Sequence, residues 1–308
     1  MDRFKPTEWD VLTRRYSVAL TTDNPRRIIE EILIDFERND GIFRGATQND
    51  VDLPLRKSLN ELESEGVMDG DRERALYITF NLTHNFSRPA ERLSNRNMGF
   101  WKEENWIFRP EILAGEQRYY DLFDLFKGEG KFQSHPVTDE YGLMEYGKRD
   151  VDFRYTLAHT LYEEYESDPL RLFEEYDNDA SAVYKHVSQA QYEEPVHEEI
   201  RLTKKFPGLG AEKIGPLWLR AIDDHVLDLK NIGLLPIPVD RHIAHVTNYI
   251  YETDYTADNE DHCEEIRNEY LEFCREYDQA STRLDKALWL IGKSWDTRGR
   301  EYLQETLD

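Results

Sequence analysis

Apolar residues fall at helical spacing along most of this chain. Ile28, Ile29, Ile32, Leu33 and Phe36 form one helix face, opened by Asp23-Asn24-Pro25 and closed by Asn39-Asp40-Gly41. A second amphipathic stretch covers Leu53–Val67. The pair has the form of two scaffold helices; a small winged-helix reader is the rival, but there is no strong wing after it. From Ala75 to Leu82 the apolar run is unbroken, so periodicity leaves buried helix and buried strand both open. Arg118–Phe126 carries aromatics at helical spacing, the mark of core, and the glycine- and proline-containing stretch Gly128–Tyr141 reads as a flexible connection. Helices are then expected over Phe153–Glu166, Pro169–Tyr176, Ala180–Val187, His197–Phe206, His262–Asp278 and Ser281–Trp295. Short helices joined by short turns in this number predict an all-α fold.

Charge changes the picture. The 308 residues hold 63 carboxylates against 39 basic groups, a formal charge of −24, and the pI is near 4.8. That balance argues against a generic nucleic-acid binder. Because the acidic residues are spread along the chain rather than gathered in a tail, they predict a halophilic protein; an ordinary acidic protein is the alternative. One segment departs from the trend. Arg201–Tyr249 holds seven basic residues (Arg201, Lys204, Lys205, Lys213, Arg220, Lys230, Arg241) against five acidic ones. A locally positive zone is what phosphate contact needs. Cys263 and Cys274 lie eleven residues apart on one expected helix, about 16 Å, too far for a disulfide. Few cysteines and the absence of a signal peptide or long apolar run lead to the expectation of a cytoplasmic protein without membrane association. No zinc motif, P-loop, dinucleotide fingerprint or internal repeat is present, and no cofactor or metal is expected.

The candidate chemistry lies inside the positive zone. Pro207-Gly208-Leu209-Gly210 forms a tight turn whose glycines let backbone approach a ligand closely. A helix expected from about Ala211 would aim bare amides back into that turn, a ready phosphate site. Read alone, the turn is equally a plain helix–helix connection. Farther on, Asp240 comes after the apolar run Pro236–Val239 and precedes a helical pattern at Ile243, Val246 and Ile250. Read alone, Asp240 is a helix N-cap.

Taken together and in this order, FPGLG and IPVDRHIAH resemble the helix-hairpin-helix DNA glycosylase superfamily, closest in motif to its oxoguanine-glycosylase branch. The match covers about 45 of the 308 residues. The resemblance implies a two-lobed helical fold in which the N-terminal segment 1–70 packs with the C-terminal helices 251–308. A six-helix lobe would span 71–195, and 196–250 would hold the hairpin and the catalytic aspartate. It implies a monomer acting on double-stranded DNA, with Asp240 catalytic. Gly208, Leu209 and Gly210 would sit on a phosphate, His242 and His245 would line the pocket or touch DNA, and Asn85 would fill the gap left by an extruded base. Bifunctional members carry a nucleophilic lysine two residues after the second hairpin glycine. Here that position is Glu212, and Lys213 stands one step, about 100°, further round a helix. Lys213 would be the nucleophile only if the hairpin register is shifted by one. Two cysteines cannot ligate the iron–sulfur cluster of some relatives. The expected activity is monofunctional N-glycosylase; a glycosylase of free nucleosides and a non-catalytic DNA-binding protein stand as alternatives.

Overall fold

The structure, a computed structural model, describes residues 25–44, 53–84, 90–133 and 147–307. Among them the chain is mostly helical and all-α, with no strand beyond the isolated bridges Asp179–Lys230 and Gln191–Lys204. In chain order α1 is Pro25–Arg38, α2 Leu53–Ser64, α3 Gly70–Leu82, α4 Ala90–Glu103 and α5 Pro110–Leu113. Next come α6 Tyr119–Lys127, α7 Lys148–Glu164, α8 Pro169–Glu175, α9 Ala180–Gln189 and α10 Ile214–His225. The last four are α11 Arg241–Tyr251, α12 Glu260–Glu276, α13 Ser281–Lys293 and α14 Arg300–Leu307.

The apolar faces close on two cores. One gathers side chains from Leu55 to Leu235, and the other joins Ile28–Phe43 to Ile237–Leu303. In α1 the five residues of the expected stripe are the buried ones. Fully burying side chains of this size contributes about 1.5–3 kcal/mol each before the entropy of ordering them. The stripe lies against α13, α11 and α14, and the Tyr302 hydroxyl donates to Asp35 at 2.9 Å. The ambiguous run Ala75–Leu82 is helix, and all eight of its residues are buried. A helix enclosed on every side has no polar face, which is why its sequence shows no period. Its C-terminal end is fixed by a buried polar network. Arg154 donates to Phe80 O at 3.3 Å and to Asn97 Oδ1 at 3.2 Å, packs on the rings of Phe80, Phe108 and Phe126, and lies 3.4 Å from His84 Nδ1.

Several elements depart from expectation. His197–Phe206 is not helical. Its backbone pairs sideways instead, Tyr192 N donating to Thr203 O and Lys205 N to Ala190 O, so those groups are satisfied without a helix. Ile200 and Phe206 are still buried. The helix after the glycine turn starts at Ile214 rather than Ala211. Beyond α13 a π-turn, Trp295–Gly299, leads into α14, which the expected boundaries left out. Helix α2, grouped by sequence with the N-terminal segment, places Leu55, Leu59 and Leu62 in the first core. The segment 196–250 divides between the cores at Leu235 and Ile237.

Candidate functional site

The glycine turn is built by close approach. Gly208 adopts φ +84°, a left-handed conformation that costs a side-chain-bearing residue about 1 kcal/mol or more. Gly210 faces the end of α9: a Cβ there would sit 2.5 Å from Val187 O. Its missing side chain is thus accounted for by packing, whatever lies outside the turn. The amides divide into two sets. Gly210 N donates to Phe206 O at 3.1 Å and Ala211 N to Gly208 O at 3.0 Å. Those of Gly208, Leu209, Glu212 and Lys213 donate to nothing among the described residues. The group able to meet an anion therefore excludes Gly210 N and extends to Glu212 and Lys213.

Asp240 caps α11. Its Oδ1 accepts from His242 N at 2.8 Å and Ile243 N at 3.1 Å, and the residue is partly exposed. Both hydrogen bonds fall on one oxygen, so Oδ2 is unengaged among the described residues. The two histidines turn away from the capping oxygen. His242 Nδ1 lies 3.0 Å from Gly292 O, with the ring edge-on to Trp289. A side chain at position 292 would collide with the His242 carbonyl, 2.4 Å away, so α11 and α13 touch backbone to backbone there. His245 is exposed beside Trp295. The two residues form an α11–α13 seam and a surface niche.

Between the turn and the start of α11 runs an open cleft of about 660 Å³, lined among others by Tyr184, Lys204, Gly210, Lys213, Val239 and Arg267. Val239 immediately precedes Asp240, so the start of α11 adjoins the cleft, although Asp240 itself is not among the residues that line it. Glu212 and Lys213 both line it. The rotation expected to separate them presumed a helix from Ala211, and they precede the helix that forms. Glu212 pairs with Arg267 of α12, and Arg267 also donates to Glu260 at 2.5 Å. Burial pushes the Arg267 pKa down and the Cys263 thiol up, so Cys263 remains a protonated side chain at neutral pH.

Comparison with protein-family models, curated proteins and solved structures gives no match.

Arg267, which lines the cleft, is paired, and the cations of the segment Arg201–Tyr249 divide into paired and open ones. Lys205 pairs with Glu164, Lys230 with Asp177 and Arg220 with Asp285. Lys204, Lys213 and Arg241 are exposed and have no carboxylate partner among the described residues. In a chain of charge −24 those three remain open to an anion. Asn85, the expected gap-filling residue, lies outside the described residues. Its neighbour His84 is fully buried, 3.1 Å from Asp150 O. Tyr184, Arg267 and the contribution of α12 to the cleft had no sequence signal. They reach the site only through tertiary packing. No described group of histidine, cysteine, aspartate or glutamate is arranged to hold a metal ion, and no described helix is long and apolar enough to cross a membrane.

Proposed function

We propose that the chain is a monofunctional DNA N-glycosylase of the two-lobed helix-hairpin-helix kind. It would act on an altered or mispaired base of double-stranded DNA. The observation that carries this reading is the seating of Asp240, held by two backbone amides through one oxygen and leaving the other unengaged, one residue after the cleft-lining Val239. Loss of a base from a sugar passes through a cation at C1′. A fixed carboxylate stabilises that charge and takes a proton from the attacking water. The C1′–N bond breaks, the base departs with its electron pair and gains a proton, and water oxygen takes its place on C1′. Free amides in the turn, with Lys204 and Lys213, supply the contacts for the adjoining phosphate.

Water is the nucleophile in this scheme because Glu212 occupies the position of the lyase lysine and is tied to Arg267. The test is base release from a panel of damaged and mismatched duplexes at low and multimolar salt, beside free nucleosides. The expected product is an intact abasic strand that breaks only in hot alkali, with no adduct under borohydride and no release by Asp240→Asn. A borohydride adduct lost in Lys213→Gln would make Lys213 the nucleophile through an imine. Release from nucleosides alone would replace the DNA reading, and binding without release would leave Asp240 as a cap only.

A further inference from the structure

The exposed side of α11 and the segment after α13 form a second surface. Residues 241–251 include no acidic side chain, and residues 293–300 carry Lys293, Arg298 and Arg300 against Asp296 alone. In this carboxylate-rich chain many described arginines and lysines hold a carboxylate, as Arg74, Lys102, Arg109 and Arg171 do. Arg241, Lys293, Arg298 and Arg300 hold none among the described residues, and all four are exposed. Lys293 lies over the Trp289 ring, 4.8 Å from its centroid.

Aromatic rings lie among these cations. The π-turn Trp295–Gly299 sets the Trp295 ring 5.9 Å from His245 and 5.7 Å from Tyr249, centroid to centroid. Trp295 and Tyr249 are half-buried and His245 is exposed. With Asn248 and Arg300 they line an open depression of about 290 Å³. π-turns cluster at functional positions, because widening a helix by one residue re-aims the side chains beyond it. Arg241, His245, Asn248 and Tyr249 share one stripe of α11, which reaches about 13 Å along the helix from Asp240.

Partly exposed rings interleaved with cations that hold no carboxylate suit one kind of ligand, a nucleic-acid strand whose bases are free to stack and whose phosphates meet arginine. A paired duplex offers no free base face to such a niche. We infer that Trp295, Tyr249 and His245, with Arg241 and Arg300, form a stacking platform for an unpaired nucleic-acid strand. This goes beyond the glycosylase reading and does not need it: a protein with an inert Asp240 would hold the strand equally well.

The test is fluorescence anisotropy with the full chain and end-labelled oligothymidylate, oligouridylate, a duplex and an abasic oligonucleotide, all of about 15 units. Either unpaired homopolymer should bind more tightly than the abasic strand, with quenching of tryptophan emission, while duplex binding, which the cleft would supply, should not change in Trp295→Ala. Trp295→Ala should weaken that binding about 5- to 100-fold, and Trp295→Phe should restore most of it. Arg300→Gln should flatten the plot of log affinity against log salt by about 0.7. Asp240→Asn should bind like the wild type, which separates failure of the platform from failure of the catalytic reading. Circular dichroism checks that the variants are folded. No binding of either homopolymer, equal binding of the abasic strand, or unchanged affinity in folded Trp295→Ala would overturn the inference.

Discussion

Asp285 offers the sharpest test of how the two cores hold together. It lies on α13 and pairs with Arg220 on α10, and both side chains are less than a tenth exposed. Outside it the Lys286–Asp224 pair spans the same two helices at 2.9 Å. Asp285→Ala leaves the guanidinium enclosed without its carboxylate, and breaking a buried pair in this way costs about 3–5 kcal/mol. That is a large share of the roughly 5–15 kcal/mol that stabilises a typical fold. Asp224→Ala removes a pair nearer water and should cost about 1 kcal/mol or less. Replacing both buried partners, Arg220→Met with Asp285→Leu, should recover most of the loss, because neither group then needs water. Urea unfolding monitored by circular dichroism gives the energies. A variant that keeps Trp218 of the first core as its one tryptophan, and another that keeps Trp289 beside the second, report on each core separately. Since the pair joins the cores, Asp285→Ala should also part their transitions, so that two midpoints replace one. A loss below about 1 kcal/mol, or a double variant as unstable as the single one, would refute the reasoning.

Asp240 has two roles that substitution can separate. Asp240→Asn keeps an oxygen for the amides of His242 and Ile243 and should unfold like the wild type. Asp240→Ala should lose about 1 kcal/mol as well as activity, as thermal melting would show. The −24 charge predicts a midpoint that rises from dilute buffer to molar potassium chloride, since ions screen repulsion between carboxylates; a flat or falling midpoint would remove the halophilic reading. Burial lowers the pKa values of His159 and His186 despite the raising effect of nearby Glu164. The unfolded chain therefore takes up protons first, so stability is intact above about pH 6.5 and falls as pH drops through that value. His186→Asn should reduce the slope of the urea midpoint between about pH 7.5 and 5.5.

The features legible in the sequence were those that local spacing encodes. The α1 stripe and the cap at Asp240 each depend on neighbours within a turn or two, and both appear in the structure as the residues dictate. The irregular course of His197–Phe206 was hidden because Ile200 and Phe206 are apolar in either conformation. Its backbone bonds go to Ala190 and Tyr192, which no helical pattern reveals. Helix α14 carries little apolar sequence of its own and is held by Tyr302 and Leu303 against α1 and the other second-core helices. In the candidate site the turn and the aspartate were legible as motifs. The Glu212–Arg267 pair and the Arg220–Asp285 pair join residues far apart in sequence, the latter by 65 positions, and only packing brings them together.

The placement of α1 in the second core has a consequence for how the chain is made. The first core draws on a continuous run, Leu55 to Leu235, and can assemble as that run leaves the ribosome. Helix α1 is synthesised before any of it, yet its partners lie from Ile237 to Leu303. At about 5–20 residues per second the stripe Ile28–Phe36 waits roughly 10–50 s with its apolar face uncovered. During that time it is an adhesive amphipathic segment, open to chaperones and to the same stripe on a neighbouring nascent chain. The first core must meanwhile grow without capturing it, and the contact of Tyr302 with Asp35, 267 positions apart, can form only after that core's run has been made.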